Sequence, residues 1–335
     1  MNLNVCIVGC GPRGRTHAAA WRKIEGARVV AVCDIRRDRL SALSEETGAT
    51  AYEDRHAAIR HSGVTVVSQA LPTCHHAEVA IEAAGLGKHV FGEKPLALTV
   101  EEGAALLSAF RESGTVFMPC FQYRDQFVFG EYRRAVRAGE LGGPMMMQFT
   151  DVREVRPKTD MHSTSRNGGV VIDMACHIFD LMRWITGEEP ERVYATGHVF
   201  GRGKPRLAGI SDFAIDEASI SLSMTGGHHL QMYLNWGMPE GFAGYANGHA
   251  VLGPNLCLRP SADGVERVRG NGAVDTSSDP GTAGAASAND IRIARFADVL
   301  QGRAEQDVTG EDALIALRLS HAALESIDSG RPVTL

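Results

Sequence analysis

The sequence lacks any pair of cysteines spaced to clip a metal ion or act as a redox dithiol. A C-x-x-C pair does not occur, and His and Cys elsewhere show no zinc spacing. We therefore expect reduced thiols in a reducing compartment and no metal site. The seven cysteines stand singly, at Cys6, Cys10, Cys33, Cys74, Cys120, Cys176 and Cys257.

The sequence also has little that would direct it to a membrane or a nucleic acid. No apolar run approaches the roughly 20 residues that span a bilayer. The amino terminus runs directly into a short apolar segment, without the basic start and cleavage site of a secretory signal. The formal net charge of −6 provides no attraction to polyanions. We expect a cytoplasmic protein that binds neither nucleic acid nor membrane.

The length of 335 residues predicts two domains, because a single core rarely grows so large. Near residues 120–124 the predicted secondary structure changes from strands that alternate with helices to strands joined by turns. We expect a nucleotide-binding domain over residues 1–121 and a substrate-binding and oligomerisation domain over residues 122–335, whose C-terminal helices can pack back on the first domain.

The first half alternates apolar, β-branched runs with helical patterns. This alternation indicates parallel strands joined by helices, a doubly wound α/β sheet of Rossmann type. The predicted strands are 4–8, 28–33, 64–70 and 89–91, and the predicted helices are 16–24, 38–47 and 77–84.

A glycine motif, Gly9-x-Gly11-x-x-Gly14, stands between the first strand and the first helix. In a dinucleotide site Gly9 permits the tight turn, Gly11 lets the backbone approach the pyrophosphate, and Gly14 lets helix and strand pack closely. The anion then lies at the positive end of the helix. The alternative is an ordinary glycine turn, but the flanking strand and helix favour the dinucleotide site.

Asp34 ends the second strand about 20 residues beyond the glycines, where an acid accepts hydrogen bonds from the adenosine ribose. Its charge repels a 2′-phosphate and so favours NAD over NADP. Arg36 and Arg37 leave NADP possible, because a guanidinium can clamp a phosphate; the alternative is a solvated helix start.

The second half changes to strands joined by turns, which is typical of a mostly antiparallel open sheet. We expect an α+β domain and a loop over residues 270–288. The predicted strands are 145–152, 193–200, 218–224 and 229–234, and the predicted helices are 131–138, 289–300 and 310–329, the last with Thr309 as N-cap.

Two constellations can carry chemistry. Lys94 lies in Glu93-Lys94-Pro95, just past the carboxyl end of a strand, where open α/β sheets bind ligands. Asp173 and His177 are four residues apart, which places them on one face of a largely buried helix, with Asp180 continuing the stripe. A histidine suits removal of a hydroxyl proton, and an aspartate can orient it. The alternatives are a surface lysine and a core histidine beside a capping aspartate.

Two further groups are less specific. His76, with His75, begins a helix and contacts either the cofactor or loop carbonyls. Arg153, Arg156 and Lys158 follow a strand, where a solvated loop and an anion clamp are both open.

Together these features resemble the glucose-fructose oxidoreductase, inositol dehydrogenase and rhizopine-catabolism family, written Gfo/Idh/MocA. The segments that carry the resemblance are 9–14, 32–34, 71–76, 87–95, 122–124, the pair 168–169 followed by Asp173 and His177, 308–313 and 330–333.

The resemblance implies a proton relay of Lys94, Asp173 and His177 beside the nicotinamide, with His177 as the usual base. It places Arg124, Arg156 and Trp236 along the substrate pocket, and it implies a homodimer or homotetramer formed through the C-terminal sheet. The residues expected to line the coenzyme are Gly9, Gly11, Pro12, Arg13, Gly14, Asp34, Ile35, Arg36, Leu71, Pro72, His76, Glu93, Lys94 and Gln122.

We therefore expect an NAD(P)-dependent dehydrogenase that transfers hydride between nicotinamide and a carbinol carbon of a sugar or cyclic polyol, inositol-like or pyranose. Two alternatives remain: an NAD-dependent glycosidase that oxidises the sugar transiently, and a non-catalytic dinucleotide-binding regulator.

Overall fold

The computed structural model describes residues 2–243, 245, 247–278 and 287–335. The chain divides into two units. The first comprises Met1–Gln122 and Ala286–Leu314, and the second comprises Tyr123–Ala285 and Ile315–Leu335.

The first unit contains a six-stranded sheet in which every pair is parallel. The strand order β3-β2-β1-β4-β5-β6 confirms the expected doubly wound sheet. Its strands are β1 (Leu3–Val8), β2 (Ala27–Cys33), β3 (Thr50–Tyr52), β4 (Val66–Gln69), β5 (His89–Gly92) and β6 (Phe117–Pro119). Its helices are α1 (Pro12–Trp21), α2 (Arg37–Thr47), α3 (Arg55–Ile59), α4 (His76–Gly85), α5 (Val100–Ser113) and α9 (Ala288–Leu300).

The core of this unit explains why its strands read as continuous apolar runs. Val5, Ile7 and Val32 are almost fully buried, since helices cover both faces of a parallel sheet. Helix α9 belongs to the same core, where Phe296 lies edge-on to Trp21 at 6.2 Å between ring centroids. The sequence near the carboxyl end therefore completes the amino-terminal fold.

The second unit contains a nine-stranded sheet of order β14-β13-β12-β11-β7-β10-β9-β8-β15. All neighbours pair antiparallel except β7 and β10, which confirms the mostly antiparallel expectation. Its strands are β7 (Met146–Glu154), β8 (Pro190–His198), β9 (Glu217–Met224), β10 (His229–Met238), β11 (Gly248–Leu252), β12 (Leu256–Ser261), β13 (Gly264–Arg269), β14 (Val274–Ser278) and β15 (Val333–Thr334). Its helices are α6 (Phe127–Arg137), α7 (Gly169–Asp173) and α8 (Ala175–Thr186), and α10 (Gly310–Ser329) contributes its later turns.

Alternating burial shows how the central strands of this sheet are placed. In β9 the buried apolar residues are Ala218, Ile220, Leu222 and Met224, every second position, as a strand with one covered face requires. Helix α7 packs against β9 and β10. The helix that bears Asp173 is thereby fixed to the middle of the sheet.

Two local expectations are wrong. The segment expected as a loop over residues 270–288 contains strand β14, which pairs with β13 despite its polar composition; residues 279–286 of that segment lie outside the described residues. Asp173 and His177 do not share one helix, because α7 ends at Asp173 and α8 begins after a turn at Met174.

The expected cap of α10 is confirmed. The hydroxyl of Thr309 accepts from the backbone N–H of Asp312 (3.2 Å), and the Asp312 carboxylate accepts from the Thr309 backbone (3.0 Å). Among the described helices, none combines the length and the apolar character that crossing a bilayer requires.

Candidate active site

The glycine turn of the first unit has the geometry of a dinucleotide loop. Gly9 has a φ of +97°, and a Cβ there would lie 2.5 Å from the carbonyl oxygen of Ala70. A Cβ on Gly14 would lie 1.7 Å from the Gly9 oxygen, so helix and strand meet too closely for any side chain. A Cβ on Gly11 would meet only the end of the Arg39 side chain, at 3.5 Å. The fold therefore requires glycine at positions 9 and 14, whereas Gly11 leaves open space beside its backbone.

Helix α1 begins at this open position. Gly11 is its N-cap, and no side chain caps its first turn. The first-turn N–H groups and the helix dipole together favour an anion at this end. The residues present therefore fit a pyrophosphate.

Asp34 is fixed at the end of β2 by two backbone donors. Its carboxylate accepts from the N–H of Cys10 (2.7 Å) and of Arg36 (2.8 Å), one on each oxygen. Each oxygen keeps a lone pair, which fits acceptance from ribose hydroxyls. The adjacent Ile35 is 87% exposed, which is unusual for a large aliphatic residue.

The two arginines that follow Asp34 pair with carboxylates at the surface. Arg36 pairs with Asp38 through two hydrogen bonds (3.1 and 2.9 Å), and Arg37 pairs with Glu53 (2.8 Å). Arg39, which the sequence analysis did not single out, is the arginine that approaches Gly11. Arg39 reaches Gly11 only because helix α2 folds against this region, so residue spacing alone did not identify it.

A buried polar chain runs behind the Glu93-Lys94 loop. Trp21 Nε1 donates to Ser68 Oγ (3.1 Å), Ser68 Oγ lies 3.1 Å from Nδ1 of His17, and His17 Nε2 lies 3.2 Å from Oε1 of Glu93. One hydrogen pattern satisfies the whole chain: the serine hydroxyl donates to Nδ1, and the opposite N–H of the imidazole donates to the carboxylate. His17 and Ser68 are fully buried. In the sequence, His17 and Ser68 could have been recognised as polar residues among the buried apolar residues of a helix and a strand.

Burial by itself would raise the pKa of Glu93. The hydrogen bond from His17, with electrostatic interactions from His17, Arg13 and Lys94, outweighs burial and brings this pKa down to about 2. Arg13 is half exposed, with its Nε 3.8 Å from the carboxylate. The loop that carries Lys94 therefore begins at a buried, ionised carboxylate.

His76 joins the two loops that follow β4 and β5. Its Nδ1 lies 2.7 Å from the carbonyl oxygen of Pro95, and its Nε2 lies 3.0 Å from that of Leu71. Of the two interpretations left open for His76, these contacts are those of a residue that satisfies loop carbonyls. Leu71 also borders Gly9, 3.2 Å from where its Cβ would stand.

Two residues near the end of the first unit complete this region. Cys120 is buried, and its thiol donates to Gln122 Oε1 (3.6 Å). Its sulfur, His17 and Glu93 offer ligand atoms within 4.8 Å of one another, a grouping that sequence spacing could not reveal. Since His17 already bridges Ser68 and Glu93, we interpret this group as a hydrogen-bonded network.

In the second unit, His177 is buried and stacked. Its ring lies 4.4 Å from that of Tyr123, with an interplanar angle of 12°. Asp173 is also buried and accepts from Asn167 Nδ2 (3.3 Å). The turn at Met174 brings the two residues onto consecutive helices, and the stacked tyrosine sets the plane of the imidazole.

Arg124 and Asp180 form a buried ion pair beside these residues. Arg124 Nε donates to Asp180 Oδ2 (2.8 Å) and its Nη2 to Oδ1 (2.5 Å), a bidentate arrangement with side chains 6% and 1% exposed. This contact occupies two donors of the guanidinium expected to reach the substrate. The pair anchors the segment that carries Tyr123 to helix α8.

Arg156 and Trp236, the other two expected pocket residues, lie together. The guanidinium of Arg156 stands over the Trp236 ring at 5.7 Å. Trp236 is 3% exposed, and its indole N–H donates to Asp151 (3.0 Å). In the second unit Arg156 and Trp236 thus adjoin each other, and Arg156 is near enough to Asp173 for their charges to interact.

Both parts of the chain match models of one protein family. Residues 3–121 match the family model described as an oxidoreductase family with an NAD-binding Rossmann fold. Residues 129–253 match the GFO/IDH/MocA C-terminal domain.

Three individual proteins show the range of similarity. A myo-inositol 2-dehydrogenase of Thermotoga maritima is 32% identical over 214 residues, which is 64% of each chain. An inositol 2-dehydrogenase of Rhizobium meliloti is 28% identical over 342 residues, the full length of both. The crystal structure of a probable dehydrogenase from Thermotoga maritima is 26% identical, covers 99% of each chain and superposes with a TM-score of 0.77.

Proposed function

Because the chain belongs to the Gfo/Idh/MocA family of NAD(P)-dependent oxidoreductases acting on CH–OH groups, we propose that it oxidises one carbinol carbon of a sugar or cyclic polyol. The observation that carries the proposal is the glycine turn, in which Gly9 and Gly14 are required by the fold while Gly11 leaves an open backbone at an uncapped helix. Inositol-like and pyranose substrates both present such a carbon.

The coenzyme that fits is NAD, which supplies the hydride acceptor when bound. The N-terminus of α1 with Arg13 receives its pyrophosphate, and Asp34 accepts from its ribose hydroxyls. The exposed Ile35 offers an apolar surface to the adenine. The charge of Arg36 is already paired with that of Asp38, so this arginine is poorly placed to bind the 2′-phosphate of NADP. We assign Leu71, Pro72 and Gln122 to the nicotinamide side, with His76 holding their loops.

The proton is handled by residues of this chain. We assign His177 as the base that takes the substrate hydroxyl proton, with its ring plane held by Tyr123. Asp173 stabilises the imidazolium that forms. The ammonium of Lys94 donates to the substrate oxygen and so stabilises its developing negative charge. The ionised carboxylate of Glu93, the preceding residue, interacts electrostatically with that ammonium.

Two variants test this assignment. Lys94→Met and His177→Ala should each lower kcat with inositols and hexoses by at least about 100-fold, the usual contribution of a positioned acid or base. NADH fluorescence should show that the coenzyme still binds. Lys204→Met and His229→Ala, a lysine and a histidine outside these groups, are the matched controls.

A normal turnover rate in both Lys94→Met and His177→Ala would refute the relay. Aryl glycosides distinguish the glycosidase reaction from the dehydrogenase reaction. Release of nitrophenol without net NADH would indicate the glycosidase reaction, whereas accumulation of NADH with free sugars supports the dehydrogenase.

A further inference from the structure

Among the residues that the structure describes, the guanidinium of Arg156 has neither a hydrogen-bond acceptor nor a carboxylate at ion-pair distance. Its Nε is buried and has no hydrogen-bond acceptor within the part of the chain that the structure describes. No carboxylate of those described residues lies within 4.0 Å of its guanidinium. A buried guanidinium nitrogen left without an acceptor is unfavourable, so the position calls for a ligand or water.

The guanidinium is nevertheless held in place. The backbone N–H of Arg156 donates to Nε2 of His162 (3.0 Å), which fixes the chain at this point. The side chain lies over the ring of Trp236, whose indole is itself tied to Asp151. Strand β10, which carries Trp236, packs against α7, which ends at Asp173. The Arg156 guanidinium is therefore positioned by β10, which packs against the helix that ends at Asp173.

The neighbouring carboxylates already have partners. Asp151 accepts from Arg153 Nε (2.6 Å) as well as from Trp236 (3.0 Å). Glu154 accepts from the backbone N–H of Gly241 (2.5 Å) and lies 3.9 Å from Arg206. Each is engaged elsewhere, and neither carboxylate forms an ion pair with Arg156.

The electrostatics agree with this geometry. Burial lowers the pKa of Arg156, and the charge of Arg153 lowers it further, while Asp151, Asp173 and Glu154 act in the opposite direction. Asp173 is therefore near enough to interact with the guanidinium. A group bound by Arg156 would lie within reach of the residue assigned to the proton relay.

We propose that Arg156 binds a carboxylate of the substrate, so that the enzyme acts on a sugar acid, such as a uronate, rather than on a neutral sugar. This inference rests on the function proposed above and specifies its substrate class. A planar guanidinium matches a carboxylate with two parallel hydrogen bonds. A phosphate would fit the same fork, but its second negative charge would be repelled by Asp151 and Asp173, which favours the monoanion.

Matched substrate pairs test the proposal: D-glucuronate against D-glucose, and D-galacturonate against D-galactose, each with NAD. The wild-type enzyme should prefer the acid in kcat/KM by about 10- to 100-fold, the usual effect of a charged hydrogen bond. Arg156→Met keeps an unbranched chain over Trp236 and should bring that ratio near one. Arg156→Lys should restore part of it. Arg202→Met removes an exposed arginine that stacks on Phe213 at 5.1 Å and should leave the ratio unchanged.

Binding provides a second readout that does not depend on turnover. The acids should change the fluorescence of the NADH complex at lower concentration than the neutral sugars, and Arg156→Met should abolish the difference. Equal binding of acid and neutral sugar, or tighter binding of glucose 6-phosphate than of glucuronate, would overturn the inference. If acids bind through Arg156 but no sugar is oxidised, the proposed function fails and the carboxylate site stands. If neutral sugars turn over as well as acids, the proposed function stands and the carboxylate site fails.

Discussion

His17 and Glu93 are 76 positions apart in sequence, yet their side chains meet at 3.2 Å in the interior of the first unit. The imidazole is fully buried and the carboxylate is 6% exposed. Because Ser68 and Trp21 continue the chain of hydrogen bonds, the carboxylate that precedes Lys94 is held in one orientation. The contact links the first helix to the loop after β5.

Glu93→Gln should make stability less dependent on pH. The pKa of Glu93 is lowered to about 2 in the folded protein, so its carboxylate stabilises the fold above the unfolded pKa near 4.5, and this contribution is lost as the pH falls toward 2. Between pH 7 and pH 3 the wild-type free energy of unfolding should fall by on the order of 2 kcal/mol more than that of the variant. Urea unfolding at several pH values measures this difference. Glu45→Gln, exposed on α2, controls for the loss of one negative charge, and parallel curves for wild type and Glu93→Gln would contradict the prediction.

Gly14→Ala and Gly11→Ala should affect different properties. A methyl at Gly14 would overlap the Gly9 oxygen, so we expect destabilisation by about 3 kcal/mol or more. A methyl at Gly11 has room in the protein, and stability should change by less than about 1 kcal/mol while NADH binds at least about 10-fold more weakly. Thermal unfolding and NADH titration separate the two effects. Unchanged NADH affinity in Gly11→Ala would argue against the pyrophosphate assignment.

Asp34→Ala should reduce the preference for NAD over NADP. The variant removes both the ribose acceptor and the charge that repels a 2′-phosphate, and it releases the Cys10 N–H from its bond. We expect the ratio of kcat/KM values to shift toward NADP by at least about 10-fold. Asp38→Ala, which frees Arg36 without altering Asp34, shows how much of any shift comes from that arginine. An unchanged ratio in Asp34→Ala would contradict the ribose assignment.

Arg124→Met should destabilise the protein strongly, because it leaves Asp180 buried without its countercharge. The expected loss is about 3 to 5 kcal/mol. The double variant Arg124→Met with Asp180→Leu should recover most of that loss, since an apolar pair of similar volume replaces the ion pair. Chemical unfolding of the single and double variants measures the coupling. A double variant no more stable than Arg124→Met would show that the pair does not act as a unit.

Local patterns predicted the first unit well. The glycine turn needs its residues for reasons that act within a few positions, and buried parallel strands are apolar along their whole length, so β1, β2 and β4 were recognised. Short elements with mixed composition were missed. Strand β14 is polar and exposed, and only its pairing with β13 makes it a strand.

The candidate site was predicted less evenly. Lys94, Asp173 and His177 stand in distinctive motifs, but spacing placed the last two on one helix, whereas the chain turns at Met174. Arg124 was expected to face the substrate, and its bidentate contact with Asp180 depends on a residue far along the chain. Arg39 and His17 escaped notice because each takes its place only when helices pack.

The sequence by itself determined the class of fold, the glycine turn and the motifs from which the reactive groups are proposed, since all three are written in short segments whose physical requirements are local. Tertiary structure alone decided which charges are neutralised. Arg124 pairs with Asp180, 56 positions along the chain, whereas no carboxylate of the described residues lies within 4.0 Å of the Arg156 guanidinium, and no spacing rule records how such distant side chains meet.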